Sequence, residues 1–358
     1  HYVALSLILT LIISLLLTIP TVTASRLLLA WMHTPENIIS MADAYIKVIF
    51  AGILLTMAYN VVSGILRGIG DSRTPLYFLI LSSVLNIILD VVLIVYTGLG
   101  TAGAAYATII AQGVSAVLCF FYMYRKYEIL RTRREDYYLD SAGVKNMLAI
   151  GVPMALNYSI TAIGTMIMQS AVNVFGSSVV AAFTAASKVS NIATQSMPTL
   201  GTAMATYCGQ NLGAGKYDRI YAGMRQGLFL CFGAAAAAAA ICIFGGRFIV
   251  SWFVSNPSEE IFSSAMQYLT IASWFFLPLA MIFLYRNALQ GLDQGLIPML
   301  SGVIELACRF GVIALVPAST GFFGVCFADP AAWGGAGIPL FVTYLLWEHR
   351  MKQRHKAA

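Results

Sequence analysis

The sequence predicts an all-α polytopic membrane protein: two pseudo-symmetric six-helix lobes in parallel repeat, the first lacking two helices, so that about ten transmembrane helices are present. Three observations carry that prediction. Of the 358 residues, 59% are hydrophobic and 10% charged, with a mean hydropathy of +0.80. A soluble domain carries about 25% charged residues, so this much apolar surface requires lipid as part of its solvent. Apolar runs near the length of a membrane span recur along the whole chain, and its two halves echo each other at a nearly constant spacing.

The spans fall at about 2–24, 44–66, 75–97, 102–124, 147–175, 179–207, 224–244, 265–289, 297–317 and 331–347, bounded by Gly, Pro or charge. The opening run, "YVALSLILTLIISLLLTIPTV", has no basic start and is as long as a span, unlike a signal peptide. Basic residues then set the orientation. Arg67 and Arg73 follow the second span, Arg125, Lys126, Arg131, Arg133, Arg134 and Lys145 the fourth, and Lys216, Arg219 and Arg225 the sixth. Arg350, Lys352, Arg354 and Lys356 end the chain. All fall on one side, which is the expected cytoplasmic face of the cell inner (plasma) membrane, together with the C-terminus. The opposite loops, "TGLGTAG" and "FGSSV", are nearly uncharged. Basic residues facing an anionic leaflet account for the net charge of +6 without a nucleic-acid partner.

The repeat is legible residue by residue. "LLAWMHTPENI" (28–38) echoes "IVSWFVSNPSEEI" (249–261), with Trp31 on Trp252 and Arg26 on Arg247, each 221 apart. Tyr45 and Tyr268, Gly68 and Gly291, and Pro75 and Pro298 are each 223 apart. Six spans separate equivalent points, an even number, so the halves run parallel. Subtracting the offset puts the first repeat's start about 77 residues before His1, room for two more spans. The expected organisation is an N-terminal lobe over 1–124, an inter-lobe cytoplasmic loop over 125–144 and a C-terminal lobe over 145–358.

Several tempting motifs carry no chemistry. "GQNLGAGKYDR" (209–219) misses the phosphate-loop pattern: five residues separate Gly209 from Gly215, and Tyr217 follows Lys216 where Ser or Thr is required. A tight turn is the expectation. The six cysteines are scattered through apolar segments without a CxxC pair, and His1, His33, His349 and His355 lie at the start, in a loop and in the tail. No metal cluster and no Ser/His or His/Asp constellation is visible, so the chain reads as a non-enzyme without a cofactor.

Ionisable and amide side chains at membrane depth are the functional candidates. A buried acid in a spanning helix costs about 2.5–3.5 kcal/mol on insertion scales, so it needs a reason. In "NIILD" (86–90), Asp90 lies about 22 Å along its helix from Pro75, and Asn86 one turn below on the same face. Thr108 lies about 9 Å down the next helix from Ala102, near the depth of Asp90. Asn86, Asp90 and Thr108 would supply hard oxygen donors for a small cation or an exchangeable proton, with Na+ as the only metal considered. Asn60 is a fourth candidate, although rise arithmetic puts it deeper. Glu305 and Arg309, spaced i and i+4, can pair on one helix in a structural or gating role. Arg286 is expected to snorkel to the cytoplasmic side, and Asp329 and Trp333 to lie at an outer interface.

"YNVVSGILRGIGDSRTPL" (59–76), "NIILD", "GLGTAGAAYAT" (98–108) and "GQNLGAGKYDR" together resemble the multidrug and toxin extrusion (MATE) family, from its third helix to its twelfth. The resemblance implies a secondary antiporter. Such a protein exports organic, often cationic, drugs or toxins in exchange for Na+ or H+, by alternating access of two lobes. It also implies a first-lobe cation site at Asn86, Asp90 and Thr108. The family's further acid belongs to its first helix, outside this chain. One branch places acids on the seventh and tenth helices; here Ser159 and Thr161 occupy the seventh, and the tenth holds none before Asp293. That departure favours coupling through Asp90. The expected partners are small organic substrates and the bilayer, and the expected state is a monomer. A flippase of lipid-linked oligosaccharides is the alternative, but its cavity should be strongly cationic to hold pyrophosphate.

Overall fold

The structure is a computed structural model that describes residues 1–31, 36–254, 258–315 and 320–357. The echo-loop residues 32–35, with His33, and 255–257 lie outside the described residues, as do the side chains of Arg354, His355 and Lys356. The described chain is all-helical, and it divides into two compact units, His1–Asn146 and Met147–Ala358.

The first unit holds α1 (Tyr2–Trp31), α2 (Glu36–Ala51), α3 (Ile53–Gly68), α4 (Arg73–Val91) and α5 (Gly100–Lys126). The second begins within α6 (Ser141–Asn173). It continues through α7 (Ser177–Thr194), α8 (Ser196–Gly213), α9 (Tyr217–Val250), α10 (Glu259–Trp274), α11 (Phe276–Gly291), α12 (Leu296–Leu315), α13 (Gly321–Val325) and α14 (Ala328–Ala357). Leu16, Ile19, Leu27, Phe229, Phe244 and Phe248 stand exposed on these helices, as side chains facing lipid should.

Among the described residues, seven helices are long and apolar enough to cross a membrane, and nine segments qualify when two bent pairs each count as one span. One pair is α2 and α3, bent by 44° at Gly52; the other is α10 and α11, bent by 53° at Phe275. At the second bend Pro278 lacks the N–H that would bond Trp274, and its ring crowds that carbonyl. The sixth expected segment, 179–207, is not one continuous apolar helix. It is divided between α7 and α8 at Gln195, with Lys188, Asn191 and Thr194 interrupting its apolar run.

The repeat spacing reappears in backbone geometry. Gly52 and Phe275, where the bends fall, are 223 residues apart. The turns that end α3 and α11 close with the same pair of bonds. Gly70 N–H donates to the Arg67 carbonyl at 2.9 Å and Asp71 N–H to Leu66 at 2.9 Å; 223 residues on, Asp293 donates to Gln290 at 3.2 Å and Gln294 to Leu289 at 2.8 Å. The pivot residue is left-handed in both, Gly70 at φ 94° and Asp293 at φ 60°. The "GQNLGAGKYDR" segment is a tight turn: Lys216 N–H donates to the Asn211 carbonyl at 2.8 Å between α8 and α9.

Candidate functional site

In the first unit α4 and α5 run antiparallel and pack along their length. Their close approach near the loop that joins them depends on Gly103, where a Cβ would sit 2.8 Å from the Leu93 carbonyl oxygen. That register sets Asn86 against Thr108: the Asn86 amide donates to the Thr108 hydroxyl at 3.4 Å, and the hydroxyl donates to the Ala104 carbonyl at 3.0 Å. Asp90 lies one turn beyond Asn86 on α4, just before a wider π-type turn over Val92–Tyr96. Its Oδ1 is buried and accepts no hydrogen bond from any described residue.

Asn60 does not join this set. It is exposed, and its amide donates to the Thr56 carbonyl of its own helix at 2.9 Å. Sequence reasoning passed over Gln112, one turn from Thr108 on α5, whose Oε1 is also buried without a described partner. Its i+4 spacing from Thr108 was the available signal.

The second unit holds a different arrangement. A cavity of about 630 Å³ opens among α6, α7, α8, α10, α11, α12 and α14, a volume suited to a drug-sized ligand. Glu305 and Arg309 pair on α12 as expected, at 3.4 Å, but the pair is part of a chain. Arg286 reaches the other Glu305 oxygen at 3.0 Å, Arg309 Nε donates to Asp329 Oδ1 at 2.9 Å, and the Tyr268 hydroxyl donates to Asp329 Oδ2 at 2.8 Å.

Two expectations are corrected here. Arg286 does not snorkel; its side chain is 11% exposed and turned onto Glu305, because a buried carboxylate offers more than a distant interface. Asp329 and Trp333 are not interfacial: Trp333 is 7% exposed, and the Asp329 side chain, 13% exposed, holds Arg309. Arg309 can lie flat on α6 because position 164 is glycine, where any Cβ would collide with its guanidinium. Among the described residues no group of three His, Cys, Asp or Glu side chains could hold a metal ion.

The two arrangements occupy equivalent positions. Asn86 and Arg309 are 223 apart, as are Ser82 and Glu305, on helices that begin at Arg73 and Leu296, also 223 apart. Gly100 and Gly321, both left-handed at φ 54° and 55°, restart the chain at an offset of 221, which puts Asp329 on Thr108. The polar pair Asn86 and Thr108 in one unit is therefore the ion pair Arg309 and Asp329 in the other.

The comparisons follow that geometry. The MatE family model matches residues 1–92 and 153–315. The chain belongs to the MATE family. The MATE relatives include the probable multidrug resistance protein YpnP of Bacillus subtilis, 32% identical over 253 residues, covering 70% of this chain and 56% of that protein. The FAD transporter of Shewanella oneidensis is 26% identical over 300 residues, covering 80% of this chain and 63% of that protein. The chain thus spans 56% and 63% of these two relatives' lengths. An outward-facing structure of a multidrug resistance MATE family transporter of the MOP superfamily matches with a TM-score of 0.89 at 23% identity, over 98% of this chain and 79% of that one, a likeness of fold. These MATE proteins are membrane transporters, not enzymes.

Proposed function

We propose that the chain is the greater part of a secondary active antiporter that exports organic drugs or toxins in exchange for Na+ or H+ by alternating access of its two lobes. The supporting observation is the buried, unpartnered Oδ1 of Asp90 one turn from the bonded Asn86 and Thr108. A carboxylate oxygen left without a donor in an apolar helix is stable only if something else satisfies it, and a small cation or a proton does so. Asp90 carries the coupling charge in this reading, with Asn86 and Thr108 lending neutral oxygens. Asn60 stays outside the site unless its amide leaves Thr56. The ion is transported rather than resident, and no cofactor is invoked. Filling Asp90 should shift the balance between inward- and outward-facing states only through the difference in ion affinity between them.

The names of the two relatives span multidrug resistance and FAD transport, which supports an organic substrate without fixing its kind. The proposed setting is the plasma membrane, with the C-terminal tail cytoplasmic and the protein monomeric. A pyrophosphate-lipid flippase is the weaker reading, because Glu305 and Asp329 offset two of the three cations on the second-unit cavity wall. The deciding experiment is dye efflux driven by a sodium or proton gradient in vesicles bearing the full-length protein. Asp90→Asn should abolish gradient-driven efflux while insertion and yield are kept, since Asn retains the shape but neither the charge nor the exchangeable proton. Wild-type rate and unchanged ion dependence in that variant would reduce Asp90 to a buried structural contact.

A further inference from the structure

We propose that the second-unit cavity selects organic compounds bearing an anionic group, a carboxylate or phosphate on an aromatic body, which Lys188 and Arg286 would hold. Five charged side chains line the cavity: Lys188, Arg286, Arg309, Glu305 and Asp329. Three are cations and two are acids, and both acids are already engaged. Each Glu305 oxygen faces an arginine, at 3.0 and 3.4 Å, and the two Asp329 oxygens take Arg309 and the Tyr268 hydroxyl at 2.9 and 2.8 Å. A cationic guest therefore meets no unengaged carboxylate oxygen on this wall.

The donors are less satisfied. Lys188 is exposed to the cavity and has no carboxylate within ion-pair distance among the described residues; its ammonium lies 5.4 Å from the centre of the Phe253 ring. Arg286 also lines the cavity, with one terminal guanidinium nitrogen shared between Ser301 and Glu305 at 3.3 and 3.0 Å. An ammonium with no carboxylate partner among the described residues, on the same wall as a guanidinium, is complementary to an anion. Tyr158, Phe183, Phe283 and Trp333 on the same lining supply flat apolar surface for a ring system. The site is thus the reverse of one built for lipophilic cations, and it deepens the export reading by assigning a substrate class to this cavity.

The test is equilibrium binding of two xanthene dyes of similar size, anionic fluorescein and a cationic rhodamine ester, to the purified chain in phosphatidylcholine nanodiscs. Fluorescein should bind about tenfold more tightly than the ester. Lys188→Gln should remove most of that preference by weakening fluorescein alone, and Lys188→Arg should restore it. Lys188 leaves no ion-paired partner behind when neutralised, so the variant should melt with the wild type, and the wild-type dye preference stands as evidence independent of any variant. Equal or tighter binding of the ester, no binding of fluorescein, or a preference untouched by Lys188→Gln would each overturn the proposal. Gradient-driven efflux separates the two readings. Efflux of the ester that ignores Lys188→Gln overturns anion selection and leaves export standing, whereas anion-selective binding without driven efflux sinks export and leaves this site.

Discussion

The two units solve one geometric problem in opposite ways. At equivalent points on equivalent helices, the first sets an amide against a hydroxyl at 3.4 Å, and the second sets a guanidinium against a carboxylate at 2.9 Å. Around the first, an acid one turn away keeps an oxygen unsatisfied; around the second, every carboxylate oxygen has a donor. A parallel repeat fixes where polar side chains meet in the membrane, while the residue types at those points decide whether the meeting is a closed structural network or a site open to an ion. The first unit leaves a carboxylate oxygen open, and the second pairs each of its own.

The largest effect should come from breaking the closed network. Arg309→Met removes the cation between Glu305 and Asp329 and leaves buried negative charge with only Arg286 and Tyr268 to answer it. The expected loss is about 3–5 kcal/mol, read as a large fall in melting temperature in detergent. Adding Asp329→Leu to Arg309→Met should recover much of it, since the uncompensated acid goes with its partner. The same position in the first unit gives the control: Asn86→Leu should cost about 1 kcal/mol or less, because only one long neutral hydrogen bond is lost. Equal losses at 86 and 309 would break the contrast.

A smaller difference lies at the turns that end α3 and α11. Their backbone bonds match, but Asp71 in the first unit stands where the second has Gln294. Asp71 takes hydrogen bonds from the Thr74 hydroxyl at 2.6 Å and the Tyr127 hydroxyl at 2.5 Å, with Lys126 at 3.6 Å. Partial burial pushes its carboxyl up, but those hydrogen bonds and the lysine charge outweigh it and hold the group well below the usual carboxylate range. A depressed carboxyl contributes stability that is complete above the ordinary carboxylate range and lost as pH falls through the depressed value. Asp71→Asn should therefore cost about 1–2 kcal/mol at neutral pH. The gap from wild type should persist at mildly acidic pH and close only in strong acid. Gln294→Ala should show no such pH dependence, and thermal melts across pH would distinguish the two turns.

Most of the fold was legible because hydropathy and repeat spacing act over many residues at once. The bends were not. Gly52 sits in an unbroken apolar run, and its bend becomes visible only when α5 brings Ile109 against it. The Asn86–Thr108 meeting was legible because rise arithmetic works for adjacent straight helices joined by a short loop. Rise arithmetic already set Asn60 deeper than the other three, and its amide turns to the Thr56 carbonyl of its own helix. Arg286 and Asp329 misled. Their distance from a helix end suggested an interface, whereas partners 19 and 20 residues away in sequence decided their direction. The shift of the repeat offset from 223 to 221, carried by Gly100 and Gly321, would have put Asp329 on Thr108 from sequence alone.

The smallest expected effect is at Thr108 itself. Thr108→Val keeps the branched shape and deletes the hydroxyl that receives the Asn86 amide. That bond is 3.4 Å long, near the limit of a hydrogen bond, and the hydroxyl also closes a local bond to Ala104 that Val simply omits. Folding stability without the coupling ion should change by less than about 1 kcal/mol. The informative quantity is how much the ion then raises the melting temperature. If Thr108 lends an oxygen to the ion held by Asp90, the variant should melt like wild type in choline chloride yet gain less on addition of sodium, or on acidification where a proton couples. Asp90→Asn should remove that gain altogether. A hydroxyl deletion in the second unit's network, Tyr268→Phe, should show the opposite pattern: a lower melting temperature in every salt, because Asp329 loses a donor, and no change in ion response. A Thr108→Val variant that loses stability equally with and without the ion would place Thr108 among structural contacts and make the two units alike at this point.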